Sequence, residues 1–286
     1  MPLPDIKKVR EIIKTALAED IGSGDITTNH IFSPTEVASA RIIAKDSCII
    51  SGLPVVKEVF KILDKNCRWR AKYKDGSKVK ANKVVATVSG RARAILTGER
   101  TALNFLSGMS GIATLTNKFV KKVNKKNVEI FDTRKTSPGL RILEKYAVTC
   151  GGGKNHRMGL YDMVIVKDNH IRLCKKRKIP IVHILDSFKG GVPRGTKIEF
   201  EAQNLRDVEL ALQSDIDIIM LDNMEYKTLK KAVKMIRKSK KDVLIEISGG
   251  ITLKNVERIA NLRPDIISVG EITHSIPAID FSLEII

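Results

Sequence analysis

Cationic side chains and glycines are concentrated in three short segments of the chain. The segments are Thr133-Arg134-Lys135-Thr136-Ser137-Pro138-Gly139-Leu140-Arg141, Gly151-Gly152-Gly153-Lys154-Asn155-His156-Arg157 and Val166-Lys167-Asp168-Asn169-His170. Arginine binds carboxylates in bidentate geometry, and lysine binds phosphates as a point charge. The segments therefore predict a site for a substrate with two carboxylates and a second substrate with several phosphates. Surface ion pairs are the alternative explanation for the same cations.

Three acidic residues lie on neighbouring predicted strands. Glu199 and Glu201 are two residues apart, so their side chains share one face of a strand, and Asp222 ends the adjacent strand. Carboxylates beside a polyphosphate are typical of Mg²⁺ held mainly through substrate oxygens and water. They are also suited to stabilising a cationic sugar transition state. A third interpretation is that they only neutralise Lys167 or Arg157.

Two glycine-containing turns follow the last predicted strands. They are Ser248-Gly249-Gly250-Ile251-Thr252 and Ser268-Val269-Gly270-Glu271, and each precedes a predicted helix. Glycine lets backbone N–H groups approach a phosphate closely, and a helix N-terminus favours an anion. In α/β barrels the loops after the final strands commonly bind phosphate. The pair predicts a phosphate site, with simple strand-to-helix turns as the alternative.

A repeating β/α pattern positions these segments. From Val128 onward, short apolar runs alternate with helical patterns, and each run ends in polar or glycine residues. The predicted strands are 128–131, 163–166, 198–200, 218–221, 243–247 and 266–269. The pattern indicates a parallel sheet, and α/β barrels build their active sites at the carboxyl ends of such strands. Because about six strands are visible, we predict an open or incomplete barrel over residues 111–274.

The first part of the chain has a different pattern. Residues 5–18 predict an amphipathic helix, and residues 19–28 predict a loop. Residues 39–90 are mostly extended, with a helix at 55–63 and a turn at Asp75-Gly76, so an antiparallel sheet is expected. Helices at 92–107 and 108–123 follow. We predict a first α+β domain over residues 1–110, to which the C-terminal segment 275–286 returns.

The charge of the chain is strongly positive. Its 286 residues include 51 lysines and arginines against 32 aspartates and glutamates, a formal net charge of +19. The excess could attract nucleic acid or membrane, attract small polyanions, or reflect a lysine-rich proteome. Most of it lies in runs with helical apolar spacing, which indicates solvated helix faces. Since no aromatic–basic alternation is visible, we expect no nucleic-acid partner.

Compartment and redox chemistry are also constrained. No segment approaches the roughly 20 apolar residues that span a bilayer, so we expect no membrane association. The four cysteines lie far apart with no C-x-x-C pair, which indicates neither a zinc site nor a disulfide framework. Residues 1–6 do not resemble a signal peptide. A cytoplasmic protein is expected.

Motifs along almost the whole chain resemble the quinolinate phosphoribosyltransferase family. They are Glu19 to Thr27, Gly98-Glu99-Arg100-Thr101-Ala102-Leu103-Asn104, Thr133 to Gly139, Gly151 to Arg157, Lys167 to His170, Leu221-Asp222-Asn223 and Ser248-Gly249-Gly250. The resemblance implies an N-terminal α/β sandwich and an open, incomplete α/β barrel of the type II phosphoribosyltransferases. It also implies a homodimer or a hexamer of dimers with shared active sites, in which Arg100 comes from the neighbouring subunit.

The resemblance further implies a role for each matched residue. The quinolinate group comprises Arg100, Arg134, His156 and Arg157, with Lys135 and Lys167 nearby, and Thr133 would also bind substrate. Lys135, Lys167, Glu201 and Asp222 would be catalytic and would face phosphoribosyl pyrophosphate and its Mg²⁺, with Glu201 and Asp222 as potential metal ligands. Ser248, Gly249, Gly250, Val269, Gly270 and Glu271 would hold the 5-phosphate, with His274 close. Glu271 departs from the uncharged residue common in the family, so we expect only its backbone to serve. No organic cofactor is implied.

Two alternatives remain open. A related phosphoribosyltransferase, of the kind found beside molybdate transporters, would use the same loops on a different acceptor. A basic nucleic-acid-binding protein could have retained the fold, but Glu201 and Asp222 at the strand ends would repel a phosphate backbone. The set of Arg100, Arg134, His156 and Arg157 favours quinolinate.

Overall fold

The computed structural model describes residues 4–188 and 190–286. These residues form two compact units. The first unit comprises residues 4–117, Thr136–Gly153 and Ile272–Ile286, and the second comprises Lys118–Lys135 and residues 154–188 and 190–271. No helix of the described residues is long and apolar enough to cross a membrane.

The described chain contains both helices and strands. They run, in order, α1 Ile6–Ile21, α2 Ile26–Ile31, β1 Val37–Ala44, β2 Cys48–Ile49, α3 Leu53–Leu63, β3 Arg68–Ala71, β4 Lys78–Val79, β5 Lys83–Arg91 and α4 Ala92–Val123. They continue with β6 Glu129–Phe131, α5 Arg141–Cys150, β7 Val164–Val166, α6 Asp168–Lys176, α7 Ile181–Ser187, β8 Ile198–Ala202, α8 Leu205–Ala211, β9 Ile218–Asp222, α9 Tyr226–Lys238, β10 Leu244–Ser248, α10 Val256–Ala260, β11 Ile266–Ser268, α11 Glu271–His274 and β12 Phe281–Ile285.

The first unit is built on an antiparallel sheet of order β12-β1-β5-β3. In strand β1, exposed Arg41 lies between fully buried Ala40 and Ile42, and the strand ends in the buried residues Ile43 and Ala44. Strand β12 pairs with β1, with Ile285 opposite Ala40. The predicted antiparallel sheet is therefore confirmed, and the alternating C-terminal residues lie in it.

Two local predictions in the first unit were wrong. The loop predicted over 19–28 is shorter, because α1 continues to Ile21 and α2 begins at Ile26. Asp25 starts α2 by accepting a hydrogen bond from the Thr28 backbone N–H at 2.9 Å, an N-terminal cap. The two helices predicted over 92–123 are the single helix α4 of 32 residues. Gly111 lies inside this helix, and a Cβ there would lie 2.3 Å from the Pro277 carbonyl oxygen, so the position needs a residue without a side chain.

The second unit is built on a parallel sheet of order β6-β11-β10-β9-β8-β7. Strands β8, β9 and β11 are buried on both faces, as in α/β architectures. Lys154 forms a parallel bridge with Phe131, which extends the sheet beyond β6. Among the described residues, β6 and β7 are the two ends of the sheet and do not pair with each other. The predicted parallel sheet of an open barrel is confirmed.

Candidate active site

Most of the predicted site residues lie in the second unit, at or near the carboxyl ends of its parallel strands. Thr133, Arg134 and Lys135 follow β6, His156 and Arg157 follow the bridge beside β6, and Lys167 follows β7; Glu201 lies in β8, Asp222 ends β9, Ser248 ends β10, and Val269, Gly270 and Glu271 follow β11. Arg100, exposed on α4, and His274, exposed at the end of α11, belong to the first unit.

Two guanidinium groups influence each other in this site. Arg157 is 8% exposed, and its Nη1 donates a hydrogen bond to the Met163 carbonyl at 2.9 Å. Burial lowers the pKa of Arg157 and the positive charge of Arg134 lowers it further, while the charges of Glu199 and Asp162 oppose part of this shift. Two cations held close together, one of them buried, repel each other, and a bound anion reduces that repulsion. The pair is therefore suited to binding a carboxylate-bearing ligand.

Lys167 and Glu201 form the site's next charged pair. Lys167 Nζ lies 3.5 Å from Glu201 Oε2, and the Asp168 backbone N–H donates to the other oxygen at 3.4 Å. Burial raises the pKa of Glu201, Lys167 opposes this effect, and the charge of Asp222 adds to it. Part of the role of Glu201 is thus to neutralise Lys167. Two neighbouring carboxylates also supply the hard oxygen donors that Mg²⁺ prefers.

His156 lies between two fully buried carboxylates. Its Nε2 is 3.2 Å from Glu246 Oε2 and 3.2 Å from Glu199 Oε2. Burial lowers the pKa of the His156 ring, but the hydrogen bonds and charges of Glu199 and Glu246 outweigh burial and raise this pKa. Burial and the charge of Glu246 raise the pKa of Glu199 to about 7. Glu199 is therefore able to hold one of the cluster's protons near neutral pH.

The same three side chains have the spacing of a metal site. The ligand atoms of His156, Glu199 and Glu246 lie within 4.8 Å of one another. However, the Arg157 backbone N–H donates to His156 Nδ1 at 2.8 Å. A neutral imidazole whose Nδ1 accepts a hydrogen bond has its proton on Nε2. That nitrogen then has no lone pair for a metal, so this arrangement favours hydrogen bonding.

The turn after β10 is constrained by its glycines. Gly249 has φ +87°, and a Cβ there would lie 2.3 Å from Asn223 Oδ1 and 2.8 Å from the Asn223 backbone nitrogen. Asn223 itself has φ +51°, and its N–H donates to the Ser248 carbonyl. The helices after the two glycine turns have only five and four residues. These turns are suited to binding a phosphate because their backbone N–H groups can approach it closely, and not because of a long helix dipole.

A cavity of about 680 Å³ lies within the second unit. Several lining residues begin strands, among them Glu129, Ile218 and Leu244, and the lining also includes His156 and Glu246. The cavity therefore reaches the His156 cluster from the amino-terminal ends of the strands. The barrel interior beside the His156 imidazole is therefore open space that side chains do not fill.

Glu246 and Asp132 were missed as site residues by the sequence reasoning. Glu246 interrupts the apolar run of β10, and a fully buried charged residue in such a run is a signal of a polar interior. Asp132, also fully buried, accepts a hydrogen bond from the His156 backbone N–H at 2.8 Å. Its position directly after β6 gave no indication of that contact.

Two family models match the chain. Residues 25–110 match the model described as Quinolinate phosphoribosyl transferase, N-terminal domain. Residues 112–284 match the model described as Quinolinate phosphoribosyl transferase, C-terminal domain. Together these matches cover most of the chain.

Individual relatives are similar over nearly their whole length. A probable nicotinate-nucleotide pyrophosphorylase (carboxylating) of Synechocystis is 41% identical over 270 residues, which cover 94% of this chain and 90% of the relative. The corresponding protein of Methanocaldococcus jannaschii is 40% identical, with 96% of each chain covered. The solved structure of the nicotinate-nucleotide pyrophosphorylase from Francisella tularensis has a TM-score of 0.91 and 39% identity, covering 99% of this chain and 97% of its own.

Proposed function

Because the chain belongs to the quinolinate phosphoribosyltransferase family, we propose that the cations of its second unit bind quinolinate and phosphoribosyl pyrophosphate. The enzyme converts these substrates to nicotinate mononucleotide, CO₂ and pyrophosphate in de novo NAD biosynthesis. The observation that carries the residue assignment is the electrostatic effect of Arg134 on the buried Arg157, a repulsion that a dicarboxylate would relieve. His156 and Thr133 lie beside this pair in sequence.

The first chemical step is substitution at C1 of the ribose. The pyridine nitrogen forms a bond to C1 as the C1–O bond to pyrophosphate breaks, and the electron pair of that bond leaves on oxygen. Lys135 and Lys167 stabilise the negative charge of the departing group. The carboxylates of Glu201 and Asp222 stabilise the oxocarbenium-like sugar. Holding both substrates at one strand edge supplies the proximity that the reaction needs.

The second step is loss of CO₂ from the pyridinium that the first step creates. The bond between C2 and its carboxylate breaks, the electron pair remains on C2 beside the positive nitrogen, and C2 then takes up a proton. The ring cation is the electron sink, so no organic cofactor is required. Arg134 and Arg157 orient the carboxylates for this step.

Mg²⁺ fits the acidic pair of the site. Glu201 and Asp222 would hold it, mainly through substrate oxygens and water, because carboxylates at a strand edge match its preference for oxygen ligands. When bound, the ion supplies neutralisation of the pyrophosphate charge. The glycine turns after β10 and β11 would hold the 5-phosphate through backbone N–H groups. The cytoplasmic location stays a prediction.

An assay of released CO₂ and pyrophosphate tests this function. Quinolinate with phosphoribosyl pyrophosphate is expected to yield both products in equal amounts, with nicotinate as the control acceptor. Chelation with EDTA is expected to stop release, and added Mg²⁺ to restore it. Pyrophosphate release with nicotinate but not quinolinate would identify a related phosphoribosyltransferase instead. Full activity in EDTA would overturn the Mg²⁺ proposal.

A shared site between subunits is also proposed. Arg100 is exposed on α4 and is the one predicted quinolinate ligand in the first unit. Arg100→Ala and Lys167→Ala proteins are each expected to be inactive. Mixed together after dissociation and reassociation, they are expected to recover activity, because some interfaces then hold one intact Arg100 and one intact Lys167. No recovery in mixed dimers of verified composition would contradict sharing.

A further inference from the structure

The ring of His156 is fixed at both nitrogens by protein groups. The Arg157 N–H donates to Nδ1 at 2.8 Å, and Nε2 lies 3.2 Å from Glu246 Oε2 in hydrogen-bonding geometry. Glu199 Oε2 is equally distant from Nε2. The two carboxylates raise the pKa of the His156 ring, but the Arg157 N–H directed at Nδ1 opposes a proton on that nitrogen. We therefore assign the ring proton to Nε2, where it is donated to Glu246.

The cluster connects strands that are distant in the sheet. His156 lies beside β6, Glu246 is in β10 and Glu199 is in β8, whereas the sheet order places β11 and β9 between them. Contacts between these three residues therefore cross the barrel interior. Both glutamates are fully buried, and a buried carboxylate is costly unless protein groups compensate its charge, which the His156 ring does.

The same contacts determine the position of Arg157. Its N–H is held by the His156 ring, its Nη1 by the Met163 carbonyl, and the preceding N–H by Asp132. Arg157 is one of the two guanidinium groups proposed to bind quinolinate. A ring that rotates about χ1 or χ2 would release the Arg157 N–H and alter where that guanidinium points.

We propose that Glu246, with Glu199 as the second carboxylate, is a positioning residue that holds the His156 ring and through it Arg157. The inference about substrate binding rests on the proposed function. The inference about the ring does not, because it concerns contacts within the protein alone. Glu246 thus acts across the barrel on a residue that it does not adjoin in sequence.

Two substitutions of Glu246 separate hydrogen bonding from mere occupation of space. Glu246→Gln keeps an oxygen that accepts the Nε2–H, whereas Glu246→Leu keeps similar volume without an acceptor. The Leu variant is expected to raise KM for quinolinate about tenfold or more, with KM for phosphoribosyl pyrophosphate changed less than about twofold. The Gln variant is expected to stay within about threefold of wild type for both. Glu209, exposed on α8, provides matched Gln and Leu controls.

Two substitutions of His156 test separately its two hydrogen bonds, the one from the Arg157 N–H to Nδ1 and the one from Nε2 to Glu246. His156→Gln is able to donate to Glu246 but lacks the Nδ1 acceptor, and His156→Asn has an acceptor near Nδ1 but does not reach Glu246. Both are expected to raise KM for quinolinate above that of the Glu246→Gln protein, because each retains only one of the two hydrogen bonds of His156. A KM for quinolinate equal to that of wild type in either His156 variant would overturn the proposal.

A spectroscopic measurement decides the ring contact without any assay of activity. In ¹⁵N-histidine-labelled full-length protein, His156 is expected to show a proton on Nε2, none on Nδ1, and slow exchange with water. Its signals are assigned by their loss in His156→Gln. The Nε2–H signal is expected to persist in Glu246→Gln and to exchange rapidly in Glu246→Leu.

A proton on Nδ1, or unchanged exchange in Glu246→Leu, would overturn the proposal even if quinolinate is turned over. The expected signals with no quinolinate turnover would instead reject the proposed function alone.

Discussion

Arg134→Ala is expected to lower kcat/KM for quinolinate by about 30- to 4,000-fold. The range corresponds to roughly 2–5 kcal/mol, the cost of truncating one partner of a desolvated charge pair. The loss falls on quinolinate because Arg134 lies beside Arg157 in the proposed carboxylate site. KM for phosphoribosyl pyrophosphate is expected to change less than about threefold.

Stability distinguishes this effect from general damage to the fold. Removing Arg134 also removes the positive charge that lowers the pKa of Arg157, so that pKa is expected to rise. The free energy of unfolding is then expected to fall by less than about 1 kcal/mol. Arg206→Ala, at an exposed position on α8, is the matched control. Unchanged quinolinate kinetics in Arg134→Ala would remove Arg134 from the site.

Gly249→Ala is expected to impair both folding and phosphate binding. Its φ of +87° is strained for alanine, and the added Cβ would lie 2.8 Å from the Asn223 backbone nitrogen, which cannot move as a flexible side chain does. Overpacking of this kind costs about 1–3 kcal/mol beyond the strain itself. KM for phosphoribosyl pyrophosphate is expected to rise about tenfold or more, since the turn must shift.

Gly250→Ala provides the control for Gly249→Ala. Gly250 also has a positive φ, +60°, but a Cβ there would meet no atom within 4 Å. Only the left-handed strain of about 1–2 kcal/mol remains. Thermal or denaturant unfolding of both variants, with kinetics for each substrate, measures the difference. Equal destabilisation by the two substitutions would show that the contact with Asn223 does not govern the turn.

The strands of the second unit were predicted more accurately than the limits of the helices. Six apolar runs ending in polar residues predicted the parallel strands, since strands buried on both faces are continuously apolar. The helix limits were less accurate. Asp25 appeared as one polar residue in a turn-rich run but starts α2, and Gly108 and Gly111 appeared as a boundary but lie inside α4. The cap of α2 is local, between Asp25 and Thr28, whereas glycine at 111 is required by Pro277, which lies outside the local pattern.

The sequence by itself determined the type of ligand and the strand ends that carry the cations. Arg134, Lys167 and the glycine turns have the same chemistry in any fold, and a period-2 or 3.6 pattern is a local property of the chain. Only the tertiary structure decided which groups influence one another. It placed His156 between Glu199 and Glu246, which are 43 and 90 residues away along the chain, and set Arg157 against Arg134. Hydrogen bonds and charge effects depend on distance and burial, and both arise only when separate strands close around one interior.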